Sequence, residues 1–191
     1  MNARTFSRRI FTYPTFIRAI DELLVRLPDL KRAARGGRVS KAFSERIMLA
    51  VTQVNGCRYC NWGHSLAALK AGVPQEQIDA ILSNEFTELP EEEISALLFA
   101  HHYAESAGDY DPEAWEKLVG QYTEEGARDI LAYIRMITFG NLWGNSFDAL
   151  LSRFIGRPAP NSSLPSELGI IFGSVVILPF KVLVYLLKPR D

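Results

Sequence analysis

Apolar residues recur along this chain at intervals of three and four, and no run alternates at period two for long enough to make a sheet. That periodicity restricts the fold to an all-α class. Phe16, Ile17, Ile20, Leu23, Leu24 and Leu27 mark one helix over Thr15 to Leu27, closed by Pro28. A Gly-rich basic loop, Arg35 to Arg38, leads to Ser40. From there Phe43, Ile47, Leu49, Ala50, Val51 and Val54 predict a buried helix that ends at the turn pair Asn55-Gly56. A third helix should run from about Cys57 to Ala71, stopped by Gly72, and a short one over Gln75 to Leu82. Pro90 with Glu91 to Glu93 starts another, its acids favoured by the helix dipole. Asp111-Pro112-Glu113 opens a helix through Val119, and Thr123 opens a long one reaching roughly Phe154.

Three divisions are expected: a helical domain over 1–156, a Pro/Ser linker over 157–167 containing Pro158, Pro160, Asn161, Ser162, Ser163 and Pro165, and a hydrophobic segment over 168–191. Leu168 to Leu187 holds one charge, Lys181, and one proline, Pro179. Its length suits a membrane span, with Lys181 snorkelling toward Lys188 and Arg190, or a hydrophobic arm packed on another subunit. The long helix after Thr123 carries Ile130, Leu131, Tyr133, Ile134, Ile137, Leu142 and Trp143 on more than one face, which points to a homo-oligomer.

Charge excludes one class of partner. Lys and Arg total 21 against 22 Asp and Glu, so no global field attracts nucleic acid. The first twenty residues carry Arg4, Arg8, Arg9 and Arg18 without an apolar stretch of the secretory kind. The expectation is a cytoplasmic protein, with membrane association possible through 168–187.

Only two cysteines are present, Cys57 and Cys60, three apart. So short a spacing suits redox or metal chemistry better than a structural staple. On a helix Cys60 and His64 share a face, with Cys57 one turn before, and both thiols sit where the helix N-terminus favours a thiolate. Cys60 then reads as the nucleophile, His64 as its base and Cys57 as the thiol that resolves a sulfenic acid. Glu45, a carboxylate on an otherwise apolar helix, reads as the partner that orients His64. The same four residues could offer zinc a ligand set. Positions along one regular helix converge poorly on a tetrahedral ion, however, so neither metal nor cofactor is expected. Tyr59, Trp62 and Phe43 are read as core aromatics or as walls of the thiol site. His101 is read as a core-edge residue and His102 as a surface residue.

Glu45, the Asn55-Gly56-Cys57-Arg58-Tyr59-Cys60 stretch, His64, Ala68 and Gly72 together resemble the alkyl hydroperoxidase D-like branch of the carboxymuconolactone decarboxylase family. The likeness is close over Ser44 to Gly72 and loose over Asn145 to Leu150. Tyr59 stands where some members carry a histidine. The resemblance implies an all-helical, oligomeric fold and thiol-dependent reduction of a hydroperoxide substrate, with recycling by a thiol or dithiol reductant protein. By position, Glu45, Cys57, Cys60 and His64 match the family's functional residues. Two other readings stay open: a disulfide reductase or redox carrier, and a non-catalytic redox-sensing, membrane-associated interaction protein.

Overall fold

A computed structural model describes residues 6–86, 88–160 and 162–187. Arg4, Asn161, Lys188 and Arg190 lie outside the described residues. The chain is all-α, as its periodicity predicts, and no strand occurs among the described residues. The helices are α1 (Tyr13–Gly36), α2 (Lys41–Asn55), α3 (Arg58–Lys70), α4 (Gln75–Leu82), α5 (Glu91–Glu105), α6 (Pro112–Phe154) and α7 (Leu164–Leu187). They divide between two compact units, residues 27–141 and residues 1–26 with 142–191.

The unit of residues 27–141 is built around α2, which packs against α3, α4 and α5. Ten consecutive residues, Phe43 to Thr52, are buried, so α2 has no solvent face along most of its length. Its core neighbours include Ile78, Ile81, Leu97, Ala100, Ile130 and Ile134, all fully buried. A helix covered on every side must satisfy each polar side chain internally. Arg46 does so with a two-pronged contact to Glu93 on α5, at 2.6 and 2.8 Å, and a 3.2 Å bond to Gln77 of α4. The acid run Glu91 to Glu93 thus starts α5, as expected, and its third member also ties α5 to α2. Thr52 donates to Asn141 at 3.1 Å.

The first expected helix stops too early. Pro28 lies inside α1, which continues to Gly36. The turns beyond the proline have their own anchors: Ala33 is fully buried, and Arg32 bonds both Asp29 and the buried Asp129. Those contacts offset the backbone hydrogen bond that proline removes. In α6 the two expected helices run on from one another across a break at Thr123, whose φ of 64° and ψ of 165° are not helical. Its helical stretch beyond Thr123 has Ala127, Ile130, Leu131, Ile134 and Ile137 buried within the same unit.

In the second unit the N-terminal half of α1 lies beside α7. Phe16, Ile20 and Ile170 are fully buried there. A methyl group on Gly169 would lie 2.9 Å from the Tyr13 ring, and one on Gly173 would lie 3.1 Å from Phe16. Glycine at these two positions lets the helices approach closely. The segment before α1 is tied to the end of α6: Phe11 N–H donates to Ser146 Oγ and the Asn145 amide donates to the Arg9 carbonyl, both at 3.0 Å. The expected linker is shorter than 157–167, because α7 starts at Leu164. Pro165 occupies its first turn, where a missing N–H costs nothing, and buried Glu167 receives Arg153 at 2.7 and 2.9 Å.

Arg46→Ala would leave Glu93 buried and unpaired. It is expected to lower the unfolding free energy by about 3 kcal/mol, measured by urea denaturation, while Lys117→Ala at an exposed pair should leave the urea midpoint where it is.

Candidate thiol site

The site forms where α2 turns back into α3. Gly56 takes the left-handed conformation, φ 69° and ψ 25°, and its N–H closes α2 on the Thr52 carbonyl at 2.8 Å. A side chain is strained in that conformation, so Asn-Gly ends the helix where a longer loop would otherwise be needed. Cys57 follows in extended geometry as the N-cap of α3, and its sulfur accepts the Cys60 N–H at 3.4 Å. The N-terminal sulfur expected within the first turn is therefore one residue earlier, in the capping position itself.

The two sulfurs lie 2.8 Å apart. Cys57 is buried, with 1% of its surface exposed, whereas Cys60 is half-buried. No disulfide joins them. The Cys57 sulfur, and burial after it, push the Cys60 thiol well above its ordinary range. The low thiolate pKa expected from the helix end is thus not found at Cys60. Two sulfurs sharing one hydrogen bond cannot both ionise readily.

Glu45 is on α2 and His64 on α3, and their side chains meet: His64 Nδ1 lies 2.7 Å from Glu45 Oε2. The other carboxylate oxygen is held by Lys41, one turn back along α2. Glu45 is 1% exposed, yet it stays acidic. Burial pushes its pKa up, but the hydrogen bonds from His64 and Lys41 together outweigh that and hold it below the ordinary glutamate range. Tyr133, half-buried nearby, has its phenol pushed up by burial, with the charges of Asp129 and Glu45 adding to the effect and that of Lys41 opposing it.

Of the four residues singled out from sequence, the structure therefore joins Glu45 to His64 and Cys57 to Cys60. It does not hydrogen-bond the pairs to each other: among the described residues, no such bond links Cys60 to His64. Lys41 was missed, although a lysine four residues before a lone buried glutamate is a readable i,i+4 signal. Among the described residues no group of three or more His, Cys, Asp and Glu side chains is disposed to hold a metal.

The aromatics are placed otherwise than expected. Trp62 is 74% exposed and Tyr59 lies at the surface against Arg58, so neither walls the thiols. Trp62, Leu66 and Leu69 line an open groove of about 450 Å³ with Arg58, Asn61 and Ser65. On a helix that face is opposite Cys60 and His64. Phe43 is core, stacked on Tyr122 at 5.9 Å. His102 is half-buried rather than superficial, because its Nε2 accepts the Asp111 N–H at the start of α6. His101, half-buried, meets Phe86 edge-on and lies 3.4 Å from Glu105.

A buried, ionised glutamate bonded to a histidine beside a close pair of thiols defines a candidate thiol redox centre in an all-helical chain. Residues 21–101, which hold all of it, match the model of the Carboxymuconolactone decarboxylase family. No curated protein and no solved structure matches the chain.

Glu45→Gln removes the charge that both His64 and Lys41 face. Both partners are partly exposed, so the expected loss is about 1–2 kcal/mol at pH 7. Because the folded pKa of Glu45 is lowered, its contribution is present above the ordinary glutamate range and fades as pH falls through and below it. Urea midpoints of the two proteins should therefore differ at pH 7 and converge as the pH falls below the ordinary glutamate range.

Proposed function

We propose that this protein is a thiol-dependent peroxidase of the alkyl hydroperoxidase D-like kind, cycling Cys57 and Cys60 between dithiol and disulfide. The observation that carries this reading is the pair of sulfurs 2.8 Å apart, one buried and one half-buried, beside the Glu45–His64 contact. Cys60 is the attacking thiol, since a peroxide must reach it and Cys57 is 1% exposed. Its sulfur attacks the terminal peroxide oxygen and the O–O bond breaks. The thiol proton passes by way of His64 to the departing alkoxide, giving an alcohol and a Cys60 sulfenic acid. The Cys57 thiol then attacks the Cys60 sulfur, forming the disulfide and releasing water. A dithiol reductant protein restores both thiols by exchange and leaves oxidised.

In this reading Glu45 fixes the ring orientation of His64 and stabilises the imidazolium, and Lys41 keeps Glu45 ionised. The raised Cys60 thiol slows attack on a peroxide and on a disulfide alike near neutral pH, so either reaction calls on His64 to take the proton as the sulfur attacks.

Cys60→Ser should abolish the reaction. Cys57→Ser should allow one turnover that stalls at a sulfenic acid trappable by dimedone. Since the Cys57 sulfur is the first cause of the raised pKa, the same substitution should speed alkylation of Cys60. In the unmodified protein that alkylation should climb nearly tenfold per pH unit from about pH 6 to about pH 8, with no plateau. Reversal of the two serine phenotypes would exchange the roles of the cysteines.

A further inference from the structure

The outer face of α7 is an apolar surface whose cover the structure leaves open. Phe172, Val175, Val176, Phe180, Leu183 and Leu187 are each more than half exposed. Leu164–Tyr185 has a mean hydropathy of 2.2, and only 11% of its most apolar window is buried. The helix has two charged residues, and both are used internally. Glu167 is buried against Arg153, and Lys181 pairs with Asp21 of α1. The exposed face thus carries no formal charge.

Length and hydropathy alone would allow Leu164–Tyr185 to span a bilayer, since it is about 33 Å long at 1.5 Å per residue. Its packing argues against that. Tyr13 meets Gly169, Phe16 meets Gly173 and Asp21 meets Lys181, so the start of α1 runs parallel to α7 and in contact with it. A spanning α7 would draw that stretch of α1 into hydrocarbon, with Arg18, Asp21 and Glu22 exposed on it. Charged side chains facing lipid at that depth are strongly disfavoured.

Charge decides between the remaining occupants. Residues 1–26 and 142–191 carry ten Lys and Arg against five Asp and Glu, a formal charge of +5. Residues 27–141 carry eleven against seventeen, −6. A second copy docked through α7 would set one +5 unit against another. An anionic surface attracts the same unit. We propose that the α7 face lies on, and does not cross, a membrane surface bearing anionic lipid, with its apolar side chains at the level of the acyl boundary.

The test is flotation of the full-length chain with vesicles of phosphatidylcholine, alone or with phosphatidylglycerol. Binding should be at least tenfold stronger to the anionic vesicles, weaken several-fold as salt rises, and be released by alkaline carbonate. Val175→Asn with Phe180→Asn, both at exposed positions, should lower binding at least tenfold with unchanged helicity by circular dichroism. Should that variant misfold, the lipid-charge and salt series on the unmodified chain decides. Resistance to carbonate extraction would overturn the proposal in favour of a spanning helix. A dimer in vesicle-free buffer that the same variant splits, without vesicle binding, would overturn it in favour of a second copy. Equal binding to neutral and anionic vesicles would also overturn it.

Discussion

A single buried carboxylate organises the candidate thiol site. Glu45 sits in the stretch of α2 that has no solvent face, where an unpaired charge would be intolerable. Two cations or hydrogen-bond donors converge on it, Lys41 from its own helix and His64 from the next. The second contact fixes how α3 lies against α2. It therefore also fixes where the first turn of α3, with both cysteines, comes to rest. Arg46, the adjacent residue, does the same toward α5 through Glu93. Glu45, Arg46 and Thr52 are thus the attachments of α2 to its neighbours, and the apolar side chains fill the space between.

The cysteines owe their arrangement to the short turn. Gly56 in the left-handed conformation brings Cys57 to the capping position, and the cap turns its sulfur back toward Cys60. One consequence runs against simple expectation. The thiol nearest the helix end spends its acceptor capacity on the Cys60 N–H, and the second thiol is held protonated by the first. Activation of Cys60 then depends on a base in the transition state more than on a standing thiolate. That places the weight of the proposed chemistry on His64 and on the carboxylate that orients it.

Much of this was legible in the sequence because it is local. Helical periodicity, Asn-Gly before Cys-x2-Cys, and a lone glutamate on an apolar helix are patterns within about twenty residues. The Glu45–His64 contact followed from packing two consecutive helices back to back. What sequence could not supply depends on partners distant along the chain. Pro28 reads as a stop until Asp129 and the burial of Ala33 hold the next turns in place. Glu93 reads as a dipole partner until Arg46 claims it. Trp62 reads as core because tryptophan usually is, and only the fold shows that its side of α3 faces outward. The absent Cys60–His64 hydrogen bond is a matter of rotamers, which spacing alone cannot decide.

The most direct test of the account is a stopped-flow comparison of the reduced protein with an organic hydroperoxide and with a small disulfide, at one pH and one ionic strength. The account predicts that the hydroperoxide reacts much faster than with a free thiol of matched pKa. It also predicts one equivalent consumed per chain and a Cys57–Cys60 disulfide found by mass spectrometry. A hydroperoxide reaction no faster than that of the free thiol, beside rapid exchange with the disulfide, would contradict it.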